Sequence, residues 1–336
     1  MSKATFALIA AAGAATGASV TALIYSSRTR QQQLGTPPPS TRLPPQTTSQ
    51  PTSLLIPPHP KITTPDTASP VDPVGLFQYG FPGPVCDPVI TLPLARRLST
   101  RRTRNPSWVA EHLTPESLAQ NNADRKKSNF YEEQTIPQAF RARLSDYFRS
   151  GYDRGHQVPA ADAKWSQIAM DATFSLANMC PQVGEGFNRD YWAHFEDFCR
   201  RLTKVYPSVR IVTGPLYLPK RDPVDGKWRV TYEVIGNPPN VAVPTHFYKV
   251  IFAEDGVTGG KVSLGAFVLP NAHIPNEKSL ADFEVPLEAV ERASGLEFAS
   301  KLPAERRKKL CQEVKCEIIA RQFVQSSNDI KALRSS

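Results

Sequence analysis

Cysteine is scarce in this chain, with five residues (Cys86, Cys180, Cys199, Cys311, Cys316) in 336. A count that low and odd excludes a dense disulfide framework and leaves at least one thiol unpaired within the chain. Cys311 and Cys316 have no second Cys or His pair beside them, which argues against a structural zinc site. Acidic side chains are missing altogether from the first 65 residues, where Lys3, Arg28, Arg30, Arg42 and Lys61 supply five of the nine net positive charges. The rest of the chain is thus only mildly basic, which suits an anionic partner met in a local cleft better than a uniformly basic surface. There is no internal repeat, no HExxH, no GxSxG and no P-loop, which excludes solenoids and the commonest hydrolase and nucleotide signatures. No N-x-S/T sequon is present, since Asn105-Pro-Ser is barred by its proline, and this counts against export.

Long apolar runs are limited to one. Residues Thr5 to Tyr25 are uncharged and long enough to cross a bilayer, but Ala and Gly dominate them, so a membrane anchor and a cleaved targeting peptide both fit. Residues 1–30 are assigned as that targeting or anchor segment, and Gly13 and Gly17 would let two such helices approach closely. Residues 31–75 carry Pro at every few positions and read as an extended tether, with SH3-type recognition of the PxxP steps as the alternative. Residues 76–336 form the folded domain. Short β-branched runs at 209–216, 245–252 and 260–269 predict strands, and helical spacing marks 136–149, 189–206, 287–293 and 304–313. The expected class is α+β with a largely antiparallel sheet.

The densest polar cluster is Asp153-Arg154-Gly155-His156-Gln157. Such a strand end would offer an imidazole, mostly neutral at physiological pH, beside a guanidinium suited to phosphate; a surface turn with an Asp–Arg pair is the alternative. Two further segments weigh on that choice, SLANMCPQ at 175–182 and the stretch from Asn188 through Glu196 to Arg200. On a helix opening near Asn188, Trp192, Glu196 and Arg200 stack along one face, with Asn188 at the first turn. An amide oxygen, a carboxylate and a guanidinium would share one side, enough for a hydrated Mg²⁺, although an amphipathic helix with a surface Glu196/Arg200 pair also fits. His112, His194, His246 and His273 lack acidic partners at ligand spacing and read as structural or surface residues, and His59 falls in the tether.

Together these segments resemble the DNA/RNA non-specific nuclease family, in particular its endonuclease G branch. The DRGH motif stands at Asp153 to His156, TFSLANMCPQ at Thr173 to Gln182, and the N-x7-E-x3-R helix at Asn188, Glu196 and Arg200. YGFPGPVCDPV at 79–89 and TRNPSWVAEHLTPESL at 103–118 are similar to the endonuclease G branch rather than to secreted bacterial members. The resemblance implies a ββα-metal (His-Me finger) motif and a Mg²⁺-dependent endonuclease, with Mn²⁺ able to substitute, acting on DNA and RNA. It implies His156 as general base, Asn188 as the metal ligand, Arg154 and Arg200 facing phosphates, and Glu196 orienting the waters around the ion. Asn178 is carried over with the substrate-binding set as a residue that helps place the site. Arg125 is the candidate for an upstream phosphate-binding arginine, with Lys126 and Lys127 as alternatives. The cluster Arg96, Arg97, Arg101, Arg102 and Arg104 would extend the grip on nucleic acid, form a dimer contact, or be a solvated basic face. Further implications are a homodimer, a mitochondrial location at the inner membrane or intermembrane space with release to the nucleus, and a role in nucleic-acid turnover and cell death. The rival readings are a catalytically inactive, membrane-tethered nucleic-acid-binding protein and a secreted nuclease.

Overall fold

The computed structural model describes residues 75–80, 82 and 95–320. The expected anchor, the tether, His59 and Cys86 lie outside the described residues. Strands in chain order are β1 (Ala95–Ser99), β2 (Pro106–Leu113), β3 (Asp153–His156), β4 (Met179–Gln182), β5 (Ser208–Leu216), β6 (Lys220–Arg221), β7 (Trp228–Arg229), β8 (Val234–Ile235), β9 (Val241–Ala242), β10 (His246–Glu254), β11 (Val262–Pro270) and β12 (Arg307–Lys309). The α-helices are α1 (Pro115–Ala119), α2 (Leu144–Tyr147), α3 (Gln167–Thr173), α4 (Tyr191–Leu202), α5 (Leu287–Ser294) and α6 (Leu310–Glu313).

Six strands form the central sheet in the order β1-β2-β5-β10-β11-β12, antiparallel throughout except for the parallel β11–β12 edge. Alternation along β10 divides two cores. Phe247, Ile251 and Ala253 join Tyr191, Trp192, Phe195 and Phe198 of α4 on one face, while Tyr248, Val250 and Phe252 join Leu287 and Val290 of α5 on the other. Each aromatic buried in this way contributes roughly 1.5–3 kcal/mol. The spacing 191, 192, 195, 198, 199, 202 is the apolar stripe that keeps α4 on the sheet. The class is α+β, as expected. Among the described residues no helix is long and apolar enough to cross a membrane.

Two expected helices are corrected. Within 136–149 the chain makes a short turn at Gln138–Phe140 and the single turn α2. The Arg141 guanidinium satisfies the Ile136 and Gln134 carbonyls, and the Arg143 N–H donates to Asp146, so side chains take the bonds a continuous helix would need. Within 304–313, Arg307 to Lys309 instead pair with Val262 to Leu264, because the open edge of β11 offers unpaired backbone groups. Cys311 and Cys316 are joined by a disulfide, whereas Cys180 and Cys199 are free and buried.

Candidate active site

β3 and β4 form a separate antiparallel hairpin in which His156 pairs with Met179 and Asp153 with Gln182. Gly155 is required there: a Cβ would come within 1.9 Å of the Gln182 side chain, which is fully buried against it. Asn178 fixes the exit from β3. Its amide nitrogen donates to the carbonyls of Val158 and Thr173, its oxygen accepts from the Val158 N–H, and it has no exposed surface. Expected with the substrate-binding residues, Asn178 lines no part of the cleft. Its polar atoms are engaged by backbone, so its part is to set the path of the chain beside His156.

The cleft, of about 560 Å³, is lined by Arg125, Phe130, Asp153, Arg154, His156, Pro159, Ala160, Ala161, Asn188, Arg189, Ala193, Glu196 and Arg200. The six expected residues other than Asn178 therefore meet in one place. Neither Lys126 nor Lys127 is in the wall, and Arg101, Arg102, Arg104 and the other described histidines are outside it. Arg125 reaches the site because Asp124 caps its turn and Ser128 donates to Asp171 of α3 at 2.6 Å. Its guanidinium lies 5.5 Å from the Phe174 ring centroid, and that of Arg154 lies 4.2 Å from the Phe130 centroid.

His156 is packed between these two rings, 5.7 Å from Phe130 and edge-on to Phe174 at 4.9 Å. Its Nε2 is buried without a hydrogen-bond partner. Burial, then the Arg125 charge, lowers its pKa to about 3, so the ring is a neutral proton acceptor far below the ordinary imidazole range. Glu196 moves the other way. Burial raises its pKa to about 7 against the opposing pull of Lys249 and Arg200, although the side chain keeps some contact with the cleft. Arg200 is ion-paired with buried Asp162 at 2.8 Å.

Asn188 is placed differently from the expectation. Helix α4 begins at Tyr191, and Asn188 ends the wide turn Gly184–Asn188 before it. Gly186 in that turn has φ of 74°, and a Cβ there would strike the His273 ring at 2.0 Å. The Asn188 amide nitrogen donates to Asp153 at 2.9 Å, which leaves the amide oxygen as its free donor atom. Arg189 holds the same carboxylate through two bonds, at 2.8 and 2.6 Å. Among the described residues no three His, Cys, Asp or Glu gather as a metal cage. One hard amide oxygen in a polar cleft nevertheless fits Mg²⁺, which keeps several waters and needs few protein ligands.

Sequence reasoning passed over Asp153 as a site residue, although its place in the motif was a usable signal. Phe130, Phe174 and Asp162 carry no pattern of their own and became visible only through the fold.

A hairpin that presents an imidazole, followed by a wide turn that brings an amide into the same cleft and then by a helix, is the ββα-metal arrangement of nucleases. The DNA/RNA non-specific endonuclease family matches residues 72–305, and the chain belongs to that family of hydrolytic endonucleases. It is 57% identical over 300 residues to the mitochondrial nuclease of Saccharomyces cerevisiae, covering 84% of this chain and 89% of that one. Human mitochondrial endonuclease G is 45% identical over 203 residues, 60% of this chain and 66% of the relative. A chain of the solved EndoG/EndoGI complex superposes with a TM-score of 0.67 at 44% identity, covering 74% of this chain and all of that one.

Proposed function

We propose that this endonuclease cuts DNA and RNA with little regard to sequence, depends on Mg²⁺, and leaves 5′-phosphate and 3′-hydroxyl ends. The observation that carries the reading is a single cleft in which neutral His156 and the free amide oxygen of Asn188 sit among Arg125, Arg154 and Arg200. His156 takes the proton of the attacking water. Phe130 and Phe174 fix the plane of its ring, and burial, with the Arg125 charge, keeps the imidazole uncharged until substrate arrives. The arginines draw the phosphate in and hold it by backbone contacts, which do not read bases. Asp153 orients Asn188, whose oxygen would hold the ion, and Glu196 would order the water around it. When bound, Mg²⁺ supplies charge relief on the scissile phosphate and the departing 3′-oxygen.

The names of the yeast and human relatives, together with an acid-free, basic first 65 residues, support a mitochondrial location. The resemblance to endonuclease G supports a homodimer and a part in mitochondrial nucleic-acid turnover and cell death. Residues 1–30 would serve as address or anchor, 31–75 as tether and 76–336 as the enzyme. The deciding experiment incubates supercoiled plasmid and single-stranded RNA with the protein in Mg²⁺ or EDTA and maps the ends. Cleavage of both substrates to 5′-phosphates, lost in EDTA, is expected. Undiminished cleavage in EDTA, or binding without cleavage in Mg²⁺, would overturn the reading.

A further inference from the structure

Beneath the cleft, on the sheet face that α4 covers, charged groups occupy positions the strand pattern reserves for apolar ones. Along β10, Phe247, Ile251 and Ala253 enter the core, but Lys249 stands between them at 1% exposure. Glu111 on β2, on the same face, is also 1% exposed. The Lys249 ammonium donates to Thr213 at 2.8 Å and lies 4.9 Å from the Trp192 ring centroid. Asp162, equally buried, accepts from Arg200 at 2.8 Å. Arg200 and Glu196 are one turn apart on α4, and both open onto the cleft. Burying such charges costs several kcal/mol each, and well-packed apolar residues of similar volume serve stability as well or better. Stability alone therefore does not account for them.

We infer that Glu111, Asp162 and Lys249 form a buried mount that holds Arg200 and Glu196 in their cleft-facing positions, which makes all three positioning residues for the cleavage reaction. The inference rests on the roles proposed above for Arg200 and Glu196. Burial and the neighbouring Asp162 push the Glu111 carboxyl well above the usual range, which favours its protonated form. A protonated Glu111 would donate to Asp162, whose carboxylate accepts from Arg200 at 2.8 Å. Glu196 is faced by Lys249 on β10, Arg200 on its own helix, Asp162 in the turn at 160–163, Arg125 in the turn at 125–127 and Glu111 on β2. Lys249 holds its pKa down.

The test uses Lys249→Met, Glu111→Leu and Glu111→Gln in the full chain, with folding checked by thermal unfolding and binding of a short DNA duplex measured in EDTA. Lys249→Met is expected to bind as the wild type does and to lose about 10- to 100-fold in kcat, the scale of a misaligned catalytic group. Its acid limb of kcat should move up by about one pH unit, since a nearby cation no longer favours ionised Glu196. Glu111→Leu should lose kcat likewise, and Glu111→Gln, which can still donate to Asp162, should regain most of it. The infrared difference spectrum of the wild type minus Glu111→Gln at pH 7, in which the contribution of Glu196 cancels, should show a protonated-carboxyl stretch, a readout that stands even if Lys249→Met does not fold. A folded Lys249→Met with wild-type kcat and acid limb, a Gln variant no better than Leu, or a missing carboxyl band would each overturn the mount. Cleavage by the wild type that ignores Mg²⁺ would instead overturn the proposed function and leave the infrared comparison standing.

Discussion

His156 and Asn188 differ in what can replace them. His156→Ala removes the proton acceptor, so cleavage should fall by roughly two to four orders of magnitude at every Mg²⁺ concentration. In Asn188→Ala the lost group is an oxygen donor, and part of the lost rate should return when Mg²⁺ is raised or Mn²⁺ supplied. A plasmid-nicking titration of both variants checks this, and equal rescue of the two would contradict the assigned roles. A base of ordinary imidazole pKa would lose activity as pH fell through about 6.5. Buried between two rings and near Arg125, His156 of the free enzyme titrates near 3 instead. With Glu196 near 7 setting the main acid limb, protonation of His156 should add a second, steeper fall in kcat/KM only well below pH 6. Stability follows with a definite sign. The unfolded chain binds a proton below about pH 6.5 that native His156 refuses until about pH 3, so native stability declines as pH falls between those values. Urea midpoints at pH 7 and pH 5 should drop more for the wild type than for His156→Ala.

At the scale of elements, the β3–β4 hairpin and α4 decide whether these side chains meet. The hairpin has only four residues in each strand, and its closeness depends on Gly155 admitting Gln182. Gly155→Ala forces the Gln182 side chain aside in a fully buried place, at a cost of about 1–3 kcal/mol for overpacking. Both the melting temperature and kcat should fall, because His156 is the next residue in the strand. A variant with unchanged melting temperature and rate would show that the hairpin has slack the packing does not suggest. Helix α4 is held by its aromatic stripe rather than by its ends, since Asp190 makes no side-chain cap. Phe195→Ala should therefore cost about 3–5 kcal/mol, read from denaturant unfolding.

At the scale of the whole molecule, every residue of the cleft lies between Arg125 and Arg200, and the family match begins at residue 72. A chain shortened to begin at Val74 should be soluble and cut as fast as the full chain. Insolubility or inactivity of the shortened form alone would move the domain boundary upstream. Binding by arginines to phosphate should weaken steeply with salt, which a Kd series in EDTA from low to physiological ionic strength measures. The shortened chain should also sediment as a dimer at micromolar concentration, and a monomer there would count against the homodimer carried over from the resemblance.

How much of this was legible in the sequence follows from what is local. The strands around 209–216, 245–252 and 260–269, the α4 helix and the DRGH strand all announce themselves, because alternation, helical spacing and a contiguous motif lie within a dozen residues of one another. His156, Asn188, Glu196 and Arg200 could be named because the segments that carry them resemble the nuclease family, and they meet in the cleft. The segments 136–149 and 304–313 misled, since their helix-forming residues are captured by side-chain bonds to backbone and by an open sheet edge, partners supplied from elsewhere in the chain. Asn178, expected among the residues that touch substrate, is buried and lines no part of the cleft, a placement that only the fold decides. The Phe130 and Phe174 packing around His156, the hold of Asp153 on Asn188, and the buried charges of Glu111, Asp162 and Lys249 were decided by tertiary structure alone. Each depends on groups from separate strands, turns and helices being brought within contact distance, and a sequence pattern carries no record of desolvation.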